Sequence, residues 1–344
     1  MNGAQPIAIE SRHVGPGQPV FVIAEIGINH EGSEQVAARM VDAVAQCGAD
    51  AVKFQTVNAR ASYLPGTASF EAFKDKGLSL ASYRRLNART RDKGMVPFST
   101  PGDLESLALM ISSGMKAIKI SSGQSTNAPL LTAAARSGLP LIVSTGMADL
   151  DGVARSLSTL RNAGAREIAL LHCTALYPAP AETLNLHAMR TMAERFDCPV
   201  GYSDHYLGPT AVLAAVALGA TVIEKHFTLD RSRPGSDHHI SAEPDEFAHM
   251  VRELRAIEKM LGSGIKAPVA EEARLAPERW RYLVARTSLD LGHRLEPHDL
   301  VAKRIPPGLH GVRAADIEKV VGRGLKRAMA PDTPITLEDL ESAE

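Results

Sequence analysis

His205 and His226 each follow a short β-rich apolar run, in "PVGYSDH" and "TVIEKH". If those runs are neighbouring strands, ordinary sheet spacing sets the two imidazoles about 4.8 Å apart. Such a pair can grip one divalent ion and leave positions for water and substrate, as catalytic metal sites require. The plainer alternative is two hydrogen-bonded core histidines. With Glu25 and Asp237 expected nearby, mixed nitrogen and oxygen donors suit Mn²⁺ better than Mg²⁺, which prefers all-oxygen ligands. Mg²⁺ and Co²⁺ stand as the alternatives.

A second group is cationic. Lys53 and Lys119 sit inside apolar runs, "AVKFQT" and "AIKISS", flanked in other runs by Thr100, Ser144 and Ser203, with Ser122 just beyond Lys119. Lysine supplies a point charge and hydroxyls supply short donors, which makes a cradle for phosphate or carboxylate. Snorkelling lysines beside ordinary serines are the bland reading. A Schiff-base lysine of depressed pKa is the rival chemistry. Gln55 shares a face with Lys53, and Glu224 with His226, by the two-residue period of a strand. Glu25 is a general base, a partner of the metal site, or an ion pair with one of the lysines. Polar residues also end the sixth run, His172 and Thr174, with Tyr177 just beyond; Asp237 in "RPGSDHH" can orient substrate hydroxyls.

These residues need elements to hold them. Strands are expected over 21–28, 51–56, 96–100, 117–122, 141–145, 167–174, 199–204 and 221–227, separated by amphipathic stretches that close on glycine, as helix C-termini do. Eight β–α units over about 250 residues match an α/β fold of the (β/α)₈ TIM-barrel type, whose active sites lie at the C-terminal strand ends. A doubly wound sheet is the competing architecture, but no Gly-rich dinucleotide turn follows the first strand. The barrel is expected over 1–262 and a linker over 263–282, with a helical-looking "APERWRYL". A compact β-rich module follows over 283–344, too small to be comfortable alone. The stretch 63–78 is the longest break between early strands and reads as a mobile flap.

Composition narrows the class. The 344 residues are 44% hydrophobic, enough for a sizeable core, and a net charge of −1 leaves no electrostatic footprint for nucleic acid or a membrane surface. The three cysteines lack CxxC spacing, which fits a reducing cytoplasm rather than a disulfide framework. The opening "MNGAQPIAIESRHVGPG" has no apolar core of a signal peptide.

Taken in order, "AEIGINHEG", "VKFQT", "KISSG", "STGM", "LLHCTALYP", "GYSDH" and "EKHFTLDRSRPGSDH" resemble the motifs of the sialic acid synthase family, and the tail with "AKRIPPGLHG" resembles its small antifreeze-like (SAF) domain. The resemblance spans nearly the whole chain. It implies an enzyme that condenses phosphoenolpyruvate with an N-acetylated hexosamine aldehyde, giving a nine-carbon 2-keto acid and phosphate. By matching motif, His205 and His226 are the metal ligands. Lys53, Thr100, Lys119, Ser122, Ser144 and Ser203 contact phosphoenolpyruvate, and Glu25, Gln55, Tyr177, Glu224 and Asp237 surround the sugar, the metal and the attacking water. The resemblance further implies a domain-swapped homodimer in which the SAF module caps the partner's barrel and Arg304 meets the N-acetyl group in trans. Gln124, Ala175 and "DHHIS" depart from common family patterns, as does "KRIPPGLHG"; these changes bear on substrate identity. A non-catalytic carbohydrate-binding protein using the tail module is the remaining alternative.

Overall fold

Apolar runs such as "FVIAEIG" and "VIEKH" are buried along their whole length, as parallel strands covered on both faces must be. The computed structural model describes residues 4–342. Two short antiparallel strands come first, β1 (Ile7–Ile9) and β2 (Arg12–Val14). Then follow β3 (Phe21–Gly27), β4 (Ala51–Thr56), β5 (Val96–Pro101), β6 (Ile118–Ile120), β7 (Leu141–Ser144), β8 (Ile168–Cys173), β9 (Val200–Asp204) and β10 (Val222–His226). These eight are parallel and form a closed barrel, β10 pairing with both β9 and β3. The barrel, not the open sheet, is the architecture.

Strand alternation divides the barrel into two packings. Phe21, Ile23, Val96, Phe98, Ile142, Leu171 and Val222 share the interior, while Val22, Ala24, Ile26 and Phe54 face the helix layer. Gly201 is forced: a Cβ there would stand 2.2 Å from the Val222 carbonyl and 2.9 Å from Leu171 Cδ2. The helices follow local rules. In Glu34–Gln46 the Ser33 hydroxyl accepts from the Val36 N–H, Ala37, Met40, Val41 and Val44 make the buried stripe, and Gly48 at φ +80° turns the chain out.

The β1–β2 hairpin is an element the sequence did not announce. Ile7, Ile9 and Val14 join the interior cluster. Ala8 N donates to Glu167 Oε1 (2.9 Å) and Arg12 pairs with Asp50 (3.0 Å), residues that precede β8 and β4. The hairpin therefore closes the barrel at the N-terminal ends of its strands.

Two expectations change. The stretch 63–78 holds a helix, Ala68–Phe73, capped by Thr67, with Phe73 stacked on Tyr63 and Phe70 buried, so it is not a bare loop. The helix expected through "APERWRYL" spans Ala270–Arg279, inside the stretch expected as linker, and ends there because Tyr282 and Leu283 belong to the next strand.

The chain divides into two compact units between Ser263 and Gly264. In the second, β11 (Tyr282–Ala285) pairs antiparallel with β12 (Leu300–Lys303). Leu289, Leu295, Asp299 and Leu300 match Met329, Ile335, Asp339 and Leu340 at one constant offset. The two halves mirror each other: Leu289 and Met329 exchange backbone bonds, and Asp299 and Asp339 each cap their own one-turn helix. Paired, they bury the apolar residues of both halves in one small core.

Candidate active site

The polar residues gather at the C-terminal ends of the barrel strands, on the interior face. Register explains the grouping: His226 pairs with Glu25 and Glu25 with Lys53, while Glu224 pairs with Ser203. Lys53 Nζ donates to Thr100 Oγ1 (2.9 Å) and lies 2.6 Å from Glu25 Oε2 and 3.7 Å from Glu224 Oε2. Both of those oxygens are buried without a directed hydrogen bond, the Glu25 contact being close but poorly aligned and the Glu224 contact too long. Lys119 Nζ donates to Ser144 Oγ (2.6 Å) and stands 3.6 Å from Glu224 Oε1, which accepts from Ser203 Oγ (2.9 Å). Ser122 Oγ accepts from the Gly146 N–H at 3.0 Å. Gln55 is half-buried one step above Lys53.

The electrostatics separate the two acids. Burial, opposed by Lys53 and reinforced by Glu224, raises the Glu25 carboxyl from 4.5 to about 8. For Glu224 burial acts the same way, but Lys119, Lys53 and the Ser203 hydroxyl outweigh it and the net direction is down. The two acids are thus pushed apart, Glu25 toward its protonated form and Glu224 toward its carboxylate. Burial would lower Lys53, yet Glu224 and Glu25 outweigh it and hold the ammonium up. Burial wins at Lys119 and lowers it.

His205 and His226 stand with ring centroids 5.3 Å apart. His205 Nδ1 bonds the Thr174 carbonyl (2.7 Å), which places a proton on that nitrogen and leaves the Nε2 lone pair free. His226 Nδ1 is buried without a partner, 3.6 Å from Asp237 Oδ2. Burial lowers both imidazoles, His226 further because His205 and Lys53 add to it, so both stay neutral. Neutral paired imidazoles with an orphaned buried nitrogen fit a divalent ion. Among the described residues no set of three His, Cys, Asp or Glu is arranged to hold one, so this pair would leave the other positions to water or substrate. Tyr177, half-exposed, packs on His205 (4.1 Å between centroids) and meets His226 edge-on at 6.2 Å.

Not every expected residue arrives. His172 and Thr174 leave the interior: His172 Nε2 bonds the Leu184 carbonyl (2.7 Å) and the Thr174 hydroxyl bonds the Thr183 carbonyl. The interior parity on β8 runs through Ala169 and Leu171, so the inward residue at its end is Cys173, whose Sγ meets Ser122 Oγ at 3.3 Å. The sequence reading passed over Cys173, although counting by twos from Leu171 finds it. Arg304 lies exposed on the second unit.

The chain is similar to known proteins over most of its length. Residues 40–266 match the NeuB family model and residues 281–341 the SAF domain model. An N,N'-diacetyllegionaminic acid synthase of Legionella pneumophila is 38% identical over 95% of this chain and 96% of its own length. The human N-acetylneuraminate-9-phosphate synthase is 33% identical over 96% of each chain. A crystal structure of N-acetylneuraminic acid synthetase from Leptospira borgpetersenii, in complex with citrate, superposes with a TM-score of 0.76 at 36% identity, covering 80% of this chain and 96% of that one. Motif order, closed barrel and family match agree, and the chain belongs to the NeuB family, with a SAF domain following the barrel in sequence.

Proposed function

We propose that this chain condenses phosphoenolpyruvate with the open-chain aldehyde of an N-acetylated hexosamine, N-acetylmannosamine or a 2,4-diacetamido-trideoxyhexose. The products are a nine-carbon 2-keto sugar acid and phosphate. The observation that carries the reading is the buried layer of Lys53, Lys119, Glu25 and Glu224, two cations and two acids whose titration is pushed apart. Relatives named as synthases of legionaminic acid and N-acetylneuraminate 9-phosphate support it.

Lys53 and Lys119, with Thr100, Ser122, Ser144 and Ser203, receive the phosphate and carboxylate of phosphoenolpyruvate and hold them as charge moves, a preorganised electrostatic role. Tyr177, Gln55 and Asp237 border the sugar. The methylene carbon of phosphoenolpyruvate bonds to the aldehyde carbon, and the new alkoxide takes a proton that Glu25 holds. Water adds to the cationic enol carbon and yields its proton to Glu224. The tetrahedral centre then expels phosphate with its bridging oxygen, so the C–O bond breaks and the remaining hydroxyl proton goes to the departing phosphate, leaving the 2-keto group. A divalent cation at His205 and His226, Mn²⁺ before Mg²⁺ or Co²⁺, would supply Lewis acidity toward the sugar oxygen when bound. Capping of the mouth by the SAF domain of a second copy, with Arg304 at the N-acetyl group, and a cytoplasmic setting belong to the same proposal.

The test is phosphate release from phosphoenolpyruvate with a panel of hexosamines, with and without chelator, the product identified by mass. Phosphoenolpyruvate carrying ¹⁸O in its bridging position should deliver the label to phosphate. No release with any sugar overturns the reading. The depressed Lys119 ammonium favours one rival, a Schiff-base aldolase, which borohydride trapping of pyruvate on the chain would reveal.

A further inference from the structure

Asp237 lies on the loop between β10 and the helix Pro244–Leu261, and loops of that kind are seldom held tightly. This one is gripped by the turn that follows the neighbouring strand, β3. Asn29, buried in the turn after β3, uses its whole amide: Oδ1 accepts from the Asp237 N–H (3.0 Å), and Nδ2 donates to the Phe227 carbonyl and to Ser241 Oγ, both at 3.0 Å. Ser241 Oγ in turn donates to the Asp237 carbonyl at 2.6 Å. Both backbone polar groups of Asp237 are thereby fixed.

Glu31 takes hold of its neighbours. Its Oε1 accepts from Ser236 Oγ (2.7 Å) and meets His238 Nε2 (3.2 Å), the residues immediately before and after Asp237. Its Oε2 pairs with Lys76. Glu31 and Ser236 both adopt the left-handed region, φ +54° and +45°, where non-glycine residues persist only if their surroundings insist. Gly32 is pressed onto the Asp75 carbonyl, 2.4 Å from where a Cβ would stand, which anchors the turn from its other side.

We infer that the turn after β3 is a mould for Asp237: Asn29 and Glu31 are positioning residues that set its carboxylate beside His226, and through it decide how tightly the sugar is held. The inference rests on the proposed condensation only for its kinetic consequence; the grip itself can be measured without turnover.

The experiment pairs Asn29→Ala, Glu31→Ala and Glu31→Gln in the full chain with two readouts. Hydrogen exchange of peptides covering 229–241 should rise about 10-fold or more in Asn29→Ala and Glu31→Ala, with barrel strands unchanged. The sugar KM should rise about 10-fold or more in both, with the KM for phosphoenolpyruvate inside about 2-fold. Glu31→Gln, which keeps the acceptor for Ser236, should recover most of both effects. Unchanged exchange over 229–241, or equal rises in both KM values, overturns the mould. If Asn29→Ala fails to fold, the Glu31 pair decides alone; if the wild type turns over no sugar, the condensation has failed while exchange still judges the grip.

Discussion

Lys53 and Lys225 are both lysines on barrel strands and both are buried, but they face opposite ways. Lys225 looks toward the helix layer, where Nζ donates to Asp204 Oδ2 (2.6 Å) and to the carbonyls of Tyr206 and Gly208. Charge and donors are fully matched, and the turn that follows His205 is bolted down. Lys53 looks inward, and among the described residues its one directed bond is to Thr100. Two carboxyl groups crowd it, each with a buried oxygen that makes no directed hydrogen bond. Buried polar groups left unsatisfied in this way need a reason. A matched network stabilises the barrel; an unmatched one is set for a ligand that completes it.

Substitutions at the two lysines should therefore separate activity from stability. Lys53→Met is expected to lower phosphate release by about 10³-fold or more. Its urea midpoint should move little, because Glu25 is already pushed toward its protonated form and Lys119 still faces Glu224. Lys225→Met should do the reverse, destabilising by about 3–5 kcal/mol by stranding Asp204, with Lys225→Met/Asp204→Leu recovering most of the loss in the same denaturation curves. Loss of stability by Lys53→Met as large as that by Lys225→Met would erase the distinction.

The pH dependence sharpens it further. Between pH 4.5 and about 8 the unfolded chain has already released the Glu25 proton while the folded chain keeps it. The folded state binds more protons there, so stability falls as pH rises through this window, by about 2 kcal/mol or more, and Glu25→Gln should flatten that slope. His30 acts oppositely. Its Nδ1 accepts from the Gly32 N–H and its buried Nε2 has no partner; burial and then Lys76 lower it from 6.5 to about 4. Below 6.5 the unfolded chain binds the extra proton, so moving from pH 7 to pH 5 should remove about 2 kcal/mol, measured as the urea midpoint and absent in His30→Asn.

Much of this was visible in the residues. The eight barrel strands follow from β-rich runs and helix-ending glycines, with margins a residue or two generous, as at β6, where Ser122 already opens a one-turn helix. The hairpin was not visible because three-residue strands carry too little pattern and their burial depends on a barrel that must close first. Polarity points to His172 at the end of β8, whereas the inward face is a matter of parity and falls on Cys173. The repeat within the second unit lay in the sequence, with Leu295, Asp299 and Leu300 against Ile335, Asp339 and Leu340, and went unread because its halves share few identities. The grip on Asp237 could not be read at all: Asn29 and Ser241 meet only after the chain has gone once around the barrel.

The stopper formed by Ile7, Ile9 and Val14 has a consequence for traffic. With that end sealed and the interior filled by side chains, the layer of Lys53 and Lys119 faces solvent from the C-terminal ends of the strands. On the proposed condensation, the reactant bound deepest should enter first and the phosphate cut from it should leave last, an order that product-inhibition kinetics would check.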